Sequence, residues 1–179
     1  MNGDMYETKK NFKEAFFRLF EQGGFSGITV KKLCETAGYN RSTFYLYYQD
    51  IFELLRDIDN ELLSPLWMHM CKSFRAGICL NQLPSETLSY FGKNNEHFRL
   101  LMQQDEKFIQ KCKDMLLTEF DKEGYTLKDH YRNELVIAAF IRLLIFWYEN
   151  NCDLPLEELL SLFRELDDYL LEHRGQDLK

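Results

Sequence analysis

In Thr29-Val-Lys-Lys-Leu-Cys-Glu-Thr-Ala-Gly38-Tyr-Asn-Arg-Ser-Thr-Phe-Tyr-Leu-Tyr-Tyr48, two short helices meet at a glycine. Thr29 can N-cap the first, with Ile28 and Leu33 as a hydrophobic staple around the cap. Val30, Leu33, Cys34 and Ala37 recur at helical spacing and make its buried side. Gly38 supplies the left-handed residue that ends a helix at little cost. Asn40 caps the second helix, and Tyr39 and Phe44 form a second staple.

The second helix decides between two readings. In a plain helical hairpin it would be packed, yet Arg41, Ser42, Thr43, Tyr45 and Tyr47 would then leave several polar groups to satisfy, with only Phe44, Leu46 and Tyr48 as apolar partners. An Arg, Ser, Thr and Tyr surface suits phosphates and base edges better than a dry core. The pattern therefore reads as a helix-turn-helix whose second helix enters the major groove of DNA.

Outward from this stretch, the chain is helical throughout. Phe12, Ala15, Phe16, Leu19 and Phe20 place a helix over 7–22, stopped by Gly23 and Gly24. A further helix opens at Asp50, with Glu53 as a capping-box-like partner, and runs through Leu54, Leu55, Ile58, Leu62 and Leu63. Pro65 is expected to kink or divide it. Gly77 to Ser85 is a connection. Residues 85–122 make two or three shorter helices, and Glu123-Gly-Tyr is a break. Two long helices close the chain, at 128–150 and from Pro155 to Glu172. The first contains Leu135 to Tyr148, apolar on every face except at Arg142, so one side meets the core and the other needs a partner. Paired with the second, it would build a four-helix interface between two copies through Phe140, Leu144, Trp147, Leu159, Phe163, Leu166 and Leu170. A single thick core without a dimer is the alternative. The expected fold is all-α, with a three-helix head at 1–49 and a helical bundle at 50–179 that dimerises.

Composition narrows the function. With 179 residues, 45% hydrophobic and 28% charged, the chain can bury a proper core. Its N-terminus lacks the apolar run of a signal peptide, and Leu135–Tyr148 is too short to span a bilayer, so a soluble cytoplasmic protein is expected. Cys34, Cys71, Cys79, Cys112 and Cys152 show no C-x-x-C spacing, and reduced thiols are the default. His69, His97, His130 and His173 are not at metal-ligand spacing, so no metal and no cofactor are expected. No nucleophile elbow or glycine-rich phosphate loop is present, which argues against an enzyme. The net charge of −7 is unevenly spread. Residues 1–48 hold seven basic and five acidic side chains, net +2, leaving −9 on the remainder. A mildly basic head on an acidic body suits a protein that meets DNA at one end.

The combination Ile28-Thr-Val30, Ala37-Gly-Tyr39, Arg41-Ser-Thr-Phe-Tyr45, Tyr48 and Asp50-x-x-x-Leu-Leu55 resembles the TetR family of bacterial transcriptional regulators over residues 10–56. The ending Phe146-Trp-Tyr-Glu-Asn150 with Leu154-Pro-Leu-Glu-Glu158 is similar to short members from Gram-positive bacteria. The resemblance implies a DNA-binding head, a ligand-sensing helical body, a homodimer held by the last two helices, and repression from a palindromic operator relieved by a small molecule. Carried over residue by residue, Arg41, Ser42 and Thr43 start the recognition helix, with Arg41 placed to grip guanine. Tyr45 and Tyr47 take phosphate or sugar roles, Thr29 faces a phosphate, and Lys31, Lys32, Tyr39 and Asn40 complete the surface. Many relatives carry lysine where this chain has Ile51, which removes one backbone contact and about one unit of salt slope. For the unidentified effector, Trp67, Met68, Cys71, Phe91, Phe98, Met102, Phe108 and Trp147 are candidate lining residues, set against a reading in which they are simply core. The absent lysine and a pI of 5.2 keep a rival in view, a helical adaptor whose degenerate head binds a partner protein.

Overall fold

The computed structural model describes residues 2–75, 85–120 and 126–172, with side chains described for 4–69, 85–118 and 126–165. The expected connection at Gly77–Ser85 and break at Glu123-Gly-Tyr fall almost wholly outside these residues, as do His173 and the tail from Arg174. Among the described residues every regular element is a helix: α1 (Asn2–Gly23), α2 (Val30–Ala37), α3 (Arg41–Tyr45), α4 (Ile51–Arg75), α5 (Ser85–Lys93), α6 (Asn95–Gln104), α7 (Glu106–Phe120), α8 (Leu127–Glu149) and α9 (Leu156–Glu172), with a 3-10 turn at Phe25–Gly27.

Local chemistry places the head as the sequence suggests. The Thr29 hydroxyl accepts from the Lys32 amide, and Gly38 closes α2 in the left-handed region at φ 77°. Asn40 Oδ1 accepts from the Thr43 amide at 2.7 Å to start α3. Phe12 of α1, fully buried, is the hub of this unit. Its ring meets Tyr39 at 5.2 Å and Phe44 at 5.4 Å, and turns its edge to Tyr48 at 6.5 Å. Three aromatic rings from the turn and the second helix thus seat on one side chain of α1, which sets how α3 is presented.

Head and body share one continuous core. It runs from Phe12 and Phe16 through Leu54 and Ile58 of α4 to Phe98, Ile141 and Phe163. A second contact joins α1 directly to the body, where His97 of α6 stacks on Phe17 at 3.9 Å between ring centroids. Burial holds the His97 imidazole below its ordinary pKa, so it packs as a neutral ring.

α4 continues past Pro65 without the division that was one of the two outcomes expected there. Proline removes the amide that would bond the carbonyl four residues back, that of Glu61. The Tyr90 hydroxyl of α5 reaches that carbonyl at 3.0 Å, and the Leu62 carbonyl at the same distance. A tertiary contact thus supplies the donor that proline lacks. At the other end of α4 the expected cap forms, with Glu53 N–H donating to Asp50 and Gln49 N–H donating back to Glu53 at 2.6 Å. α8 opens on a full capping box between Thr126 and Asp129. Thr126-x-x-Asp129 was a readable signal and places the start one residue earlier than the periodicity does.

Candidate nucleic-acid interface

The surface begins at α3. Phe44 and Tyr48 face inward at 0% and 2% exposure, while Arg41, Ser42, Tyr45 and Leu46 face solvent and Thr43 and Tyr47 are half-buried. Asn40 Oδ1 organises the polar start: besides capping, it accepts the Ser42 hydroxyl at 2.6 Å and the Thr43 hydroxyl at 2.9 Å. Both hydroxyl oxygens keep free lone pairs outward, while Asn40 itself is spent on the helix. Tyr39 is half-buried, and its hydroxyl accepts from Asn11 Nδ2 at 3.0 Å. Leu46, counted as an apolar partner from the sequence, is instead 78% exposed beside Tyr45 at 57%. An exposed leucine on a polar recognition surface is the residue that sequence reasoning missed.

The charge available to this surface is small. Arg41 is exposed and carries no ion pair among the described residues. Lys32 Nζ donates to the Gly27 carbonyl at 3.1 Å, which anchors its stem and leaves its charge uncompensated. Lys31 lies 3.9 Å from Glu35, an exposed pair of little strength. The remaining head cations turn elsewhere. Lys9 and Lys13 pair with Asp57 of α4 at 3.6 and 3.0 Å, and Lys13 also bonds Glu61. Lys10 and Arg18 lie beside Glu14. Ile51 is half-buried against the core.

Asp57 is the centre of the head-to-α4 contact. Besides the two lysines it accepts the Tyr48 hydroxyl at 2.8 Å. Partial burial works against its charge, but the Tyr48 and Lys13 hydrogen bonds and the charges of Lys13 and Lys9 outweigh it and hold the carboxyl below its ordinary pKa. The same helix, Ile51–Arg75, runs on into the body.

The body encloses a cavity of about 70 Å³ walled by α4 to α9. Trp67, Phe91, Phe98 and Met102, four of the expected lining residues, are on its wall. The others are not. Met68 faces solvent at 52%, Phe108 is buried behind Phe98, and Trp147 is held in the core with its indole N–H donating to the Leu154 carbonyl at 2.7 Å. The Cys71 side chain lies outside the described residues. Cys112, also on the wall, has its thiol pushed up to about 12 by burial and the charge of Asp59. Among the described residues no group of three or more metal-ligating side chains gathers, and no helix is long and apolar enough to cross a membrane.

The expected dimer residues need correction. Phe140, Leu144, Trp147, Leu159 and Phe163 are all below a tenth exposed within the single chain. Phe140 packs its ring at a tilt against Phe163, 4.9 Å between centroids, and Phe140 and Leu144 wall the cavity. Periodicity cannot tell the two sides of an all-apolar helix apart, and the side chosen was the inner one. The Leu166 and Leu170 side chains lie outside the described residues. The uncovered side of α8 carries Leu127, Tyr131, Leu135 and Phe146 at 54–73% exposure, and α9 adds Leu162 at 51%. At helical pitch the four α8 residues fall within an arc of about 100°, where Arg142 pairs with Glu149 at 3.2 Å.

Comparison with known proteins agrees with this anatomy. A family model described as bacterial regulatory proteins, tetR family, matches residues 14–58. The uncharacterized HTH-type transcriptional regulator YxbF of Bacillus subtilis (strain 168) is 27% identical over 97 residues, 51% of this chain. The match spans 26% of that protein's length. A TetR transcriptional regulator from Streptococcus agalactiae 2603V has the same fold, with a TM-score of 0.68 at 21% identity, covering 92% of this chain and 96% of the other. The dihydroxyacetone kinase operon activator DhaS superposes at a TM-score of 0.55 and 19% identity over 92% of this chain and 94% of its own.

Proposed function

We propose that this chain, whose residues 14–58 match the tetR family of bacterial regulatory proteins, is a regulator of that family, and that it acts on transcription as a homodimer that binds a palindromic operator and is released by a small molecule held in its body. The observation that carries the reading is the outward surface at α3, where Arg41, Ser42, Tyr45 and Leu46 face solvent on a turn of chain seated by Phe44 and Tyr48. A guanidinium of this freedom can donate two hydrogen bonds to guanine O6 and N7, and an exposed leucine beside it can cover a thymine methyl. Thr29, Lys31 and Lys32 at the start of α2 supply phosphate contacts, and Tyr45 and Tyr47 add hydroxyl donors to the backbone.

Two such heads fit a two-fold operator when the copies meet through the uncovered α8 face, Leu127, Tyr131, Leu135 and Phe146, with Leu162 of α9. In this arrangement residues 1–49 read DNA and 50–179 sense and dimerise. Occupying the cavity displaces Leu63 and Leu66 of α4, and α4 passes the shift to α3 through Asp57 and Tyr48. Repression follows if the unliganded dimer is the DNA-binding state. The regulatory reading is tested by gel shift on the DNA upstream of the chain's own coding region. Wild type is expected to give a discrete complex that Arg41→Ala loses by about 1–3 kcal/mol. Equal affinity of the two proteins would overturn it.

A further inference from the structure

Asn40 does more than cap α3. Its Oδ1 accepts from the Thr43 amide at 2.7 Å, from the Ser42 hydroxyl at 2.6 Å and from the Thr43 hydroxyl at 2.9 Å. The Thr43 amide fixes which end of the Asn40 side chain faces the helix, because only the oxygen can receive its hydrogen. An amide oxygen has no hydrogen to return, so each hydroxyl must be the donor in its bond. A hydroxyl has one hydrogen and two lone pairs, and here the hydrogen is committed to Asn40. Ser42 therefore meets anything outside the protein as an acceptor only. Thr43 has the same polarity but is half-buried, whereas Ser42 is exposed. Ser42 also shares its face of the chain with exposed Tyr45 and Leu46, three and four residues on.

Acceptor polarity decides what Ser42 can recognise in DNA. Phosphate oxygens, guanine N7 and O6, adenine N7 and thymine O4 are all acceptors and offer it no hydrogen. The donors in the major groove are the adenine N6 and cytosine N4 amino groups. Arg41, next along the chain, has the opposite polarity, since a guanidinium only donates. We infer that Ser42 reads the exocyclic amino group of one adenine or cytosine in each half-site, and that Asn40 is the positioning residue that sets this polarity by holding the serine hydrogen. That assignment rests on the reading that this surface binds DNA, and it names the base feature that one side chain selects. Turning the hydroxyl to donate to a phosphate or a keto oxygen breaks its bond to Asn40, a loss worth about fivefold in affinity.

The test uses the full chain. Wild type and Ser42→Ala each select duplexes from a random library, and the base pair whose preference Ser42→Ala loses is the one that Ser42 reads. Anisotropy titrations then compare the selected duplex with two altered forms at that pair. One lacks the amino group, with purine for adenine or 2-pyrimidinone for cytosine. The other lacks the keto oxygen, with 2-aminopurine for guanine or 5-methyl-2-pyrimidinone for thymine. Deleting the amino group is expected to weaken wild type about fivefold more than Ser42→Ala, and deleting the keto oxygen to weaken both proteins alike. Weaker base pairing in the altered duplex affects both proteins equally and cancels. Asn40→Gly, which a helix cap tolerates at little cost, frees the hydroxyl to turn, so the extra cost of amino deletion is expected to shrink. Damage to the cap alone would weaken every duplex by one factor and leave that ratio unchanged. An extra loss on keto deletion in place of amino deletion would overturn the inference, as would an unchanged ratio in Asn40→Gly. So would uniform weakening of every duplex by Ser42→Ala, the mark of a phosphate contact. A wild type that selects no sequence at all would remove the DNA reading itself, whereas selection with no position that depends on Ser42 would remove this inference alone.

Discussion

Replacing Asp57 with alanine tests how the head is held to α4. The carboxylate accepts the Tyr48 hydroxyl at 2.8 Å and faces Lys13 at 3.0 Å and Lys9 at 3.6 Å. A hydrogen bond to a charged acceptor contributes about 1.5–3 kcal/mol, and here its loss strands a hydroxyl on a residue only 2% exposed. The lysine pairs add little, about 0.5 kcal/mol, because Asp57 is 34% exposed and Lys13 keeps Glu61. Asp57→Ala should therefore cost about 2–3 kcal/mol, roughly 4–10 °C in melting temperature for a chain of this size. Asp57→Asn keeps an acceptor for Tyr48 and should cost only about 1 kcal/mol. The folded carboxyl titrates below its ordinary value, so its contribution is complete above the unfolded pKa and disappears as pH falls through the folded one. Urea denaturation at fixed protein concentration, from pH 7 down to pH 3, measures all of this. The gap between wild type and Asp57→Asn should be full at pH 7 and close in acid. A gap that widens in acid, or an alanine variant within 0.5 kcal/mol of wild type, would refute the assignment.

Other expectations follow from single contacts. Tyr90→Phe should lose about 1 kcal/mol in wild type and much less in a Pro65→Ala background, where the amide restores the bond to the Glu61 carbonyl; additive losses in a double-mutant cycle would contradict this. Leu135→Asp, on the uncovered α8 face, should halve the mass seen by light scattering to that of the 21.5 kDa chain. A second copy remaining bound would move the interface elsewhere. Leu46→Ala should weaken the preferred operator by about 1 kcal/mol and flatten discrimination at one A·T position in each half-site, as read by a base-substitution series. Asp59, buried beside Lys111, has its carboxyl raised mainly by desolvation, so its charged form opposes folding above the unfolded pKa. Asp59→Asn should accordingly be at least as stable as wild type at pH 7 and lose that advantage near pH 3.

What was legible in the sequence is what chemistry decides locally. Thr29, Gly38 and Asn40 carry their instructions within three or four residues, and the caps they form are those the residues dictate. What was illegible depends on partners far along the chain. Pro65 signals a break, and only Tyr90, twenty-five residues on, explains why α4 continues. The apolar run in α8 hid its orientation because hydrophobic residues occupy both faces, which put Phe140 and Leu144 on the wrong side. Leu46 looked like core for the same reason: composition records that a leucine is apolar, and not that the chain turns it outward at the end of α3.

The central claim, that the α2–α3 surface binds DNA with few charges, is tested most directly by the salt dependence of binding to duplex DNA. Lys31 and Lys32 from two heads would make about four phosphate-neutralising contacts, for a slope of about −4 in log K against log salt. Fluorescence anisotropy from low to physiological salt should give that slope, and Lys32→Ala should reduce its magnitude by about two units, one for each head. No binding even at the lowest salt, or a slope near zero that Lys32→Ala leaves unchanged, would contradict the account and favour a head that meets a protein partner.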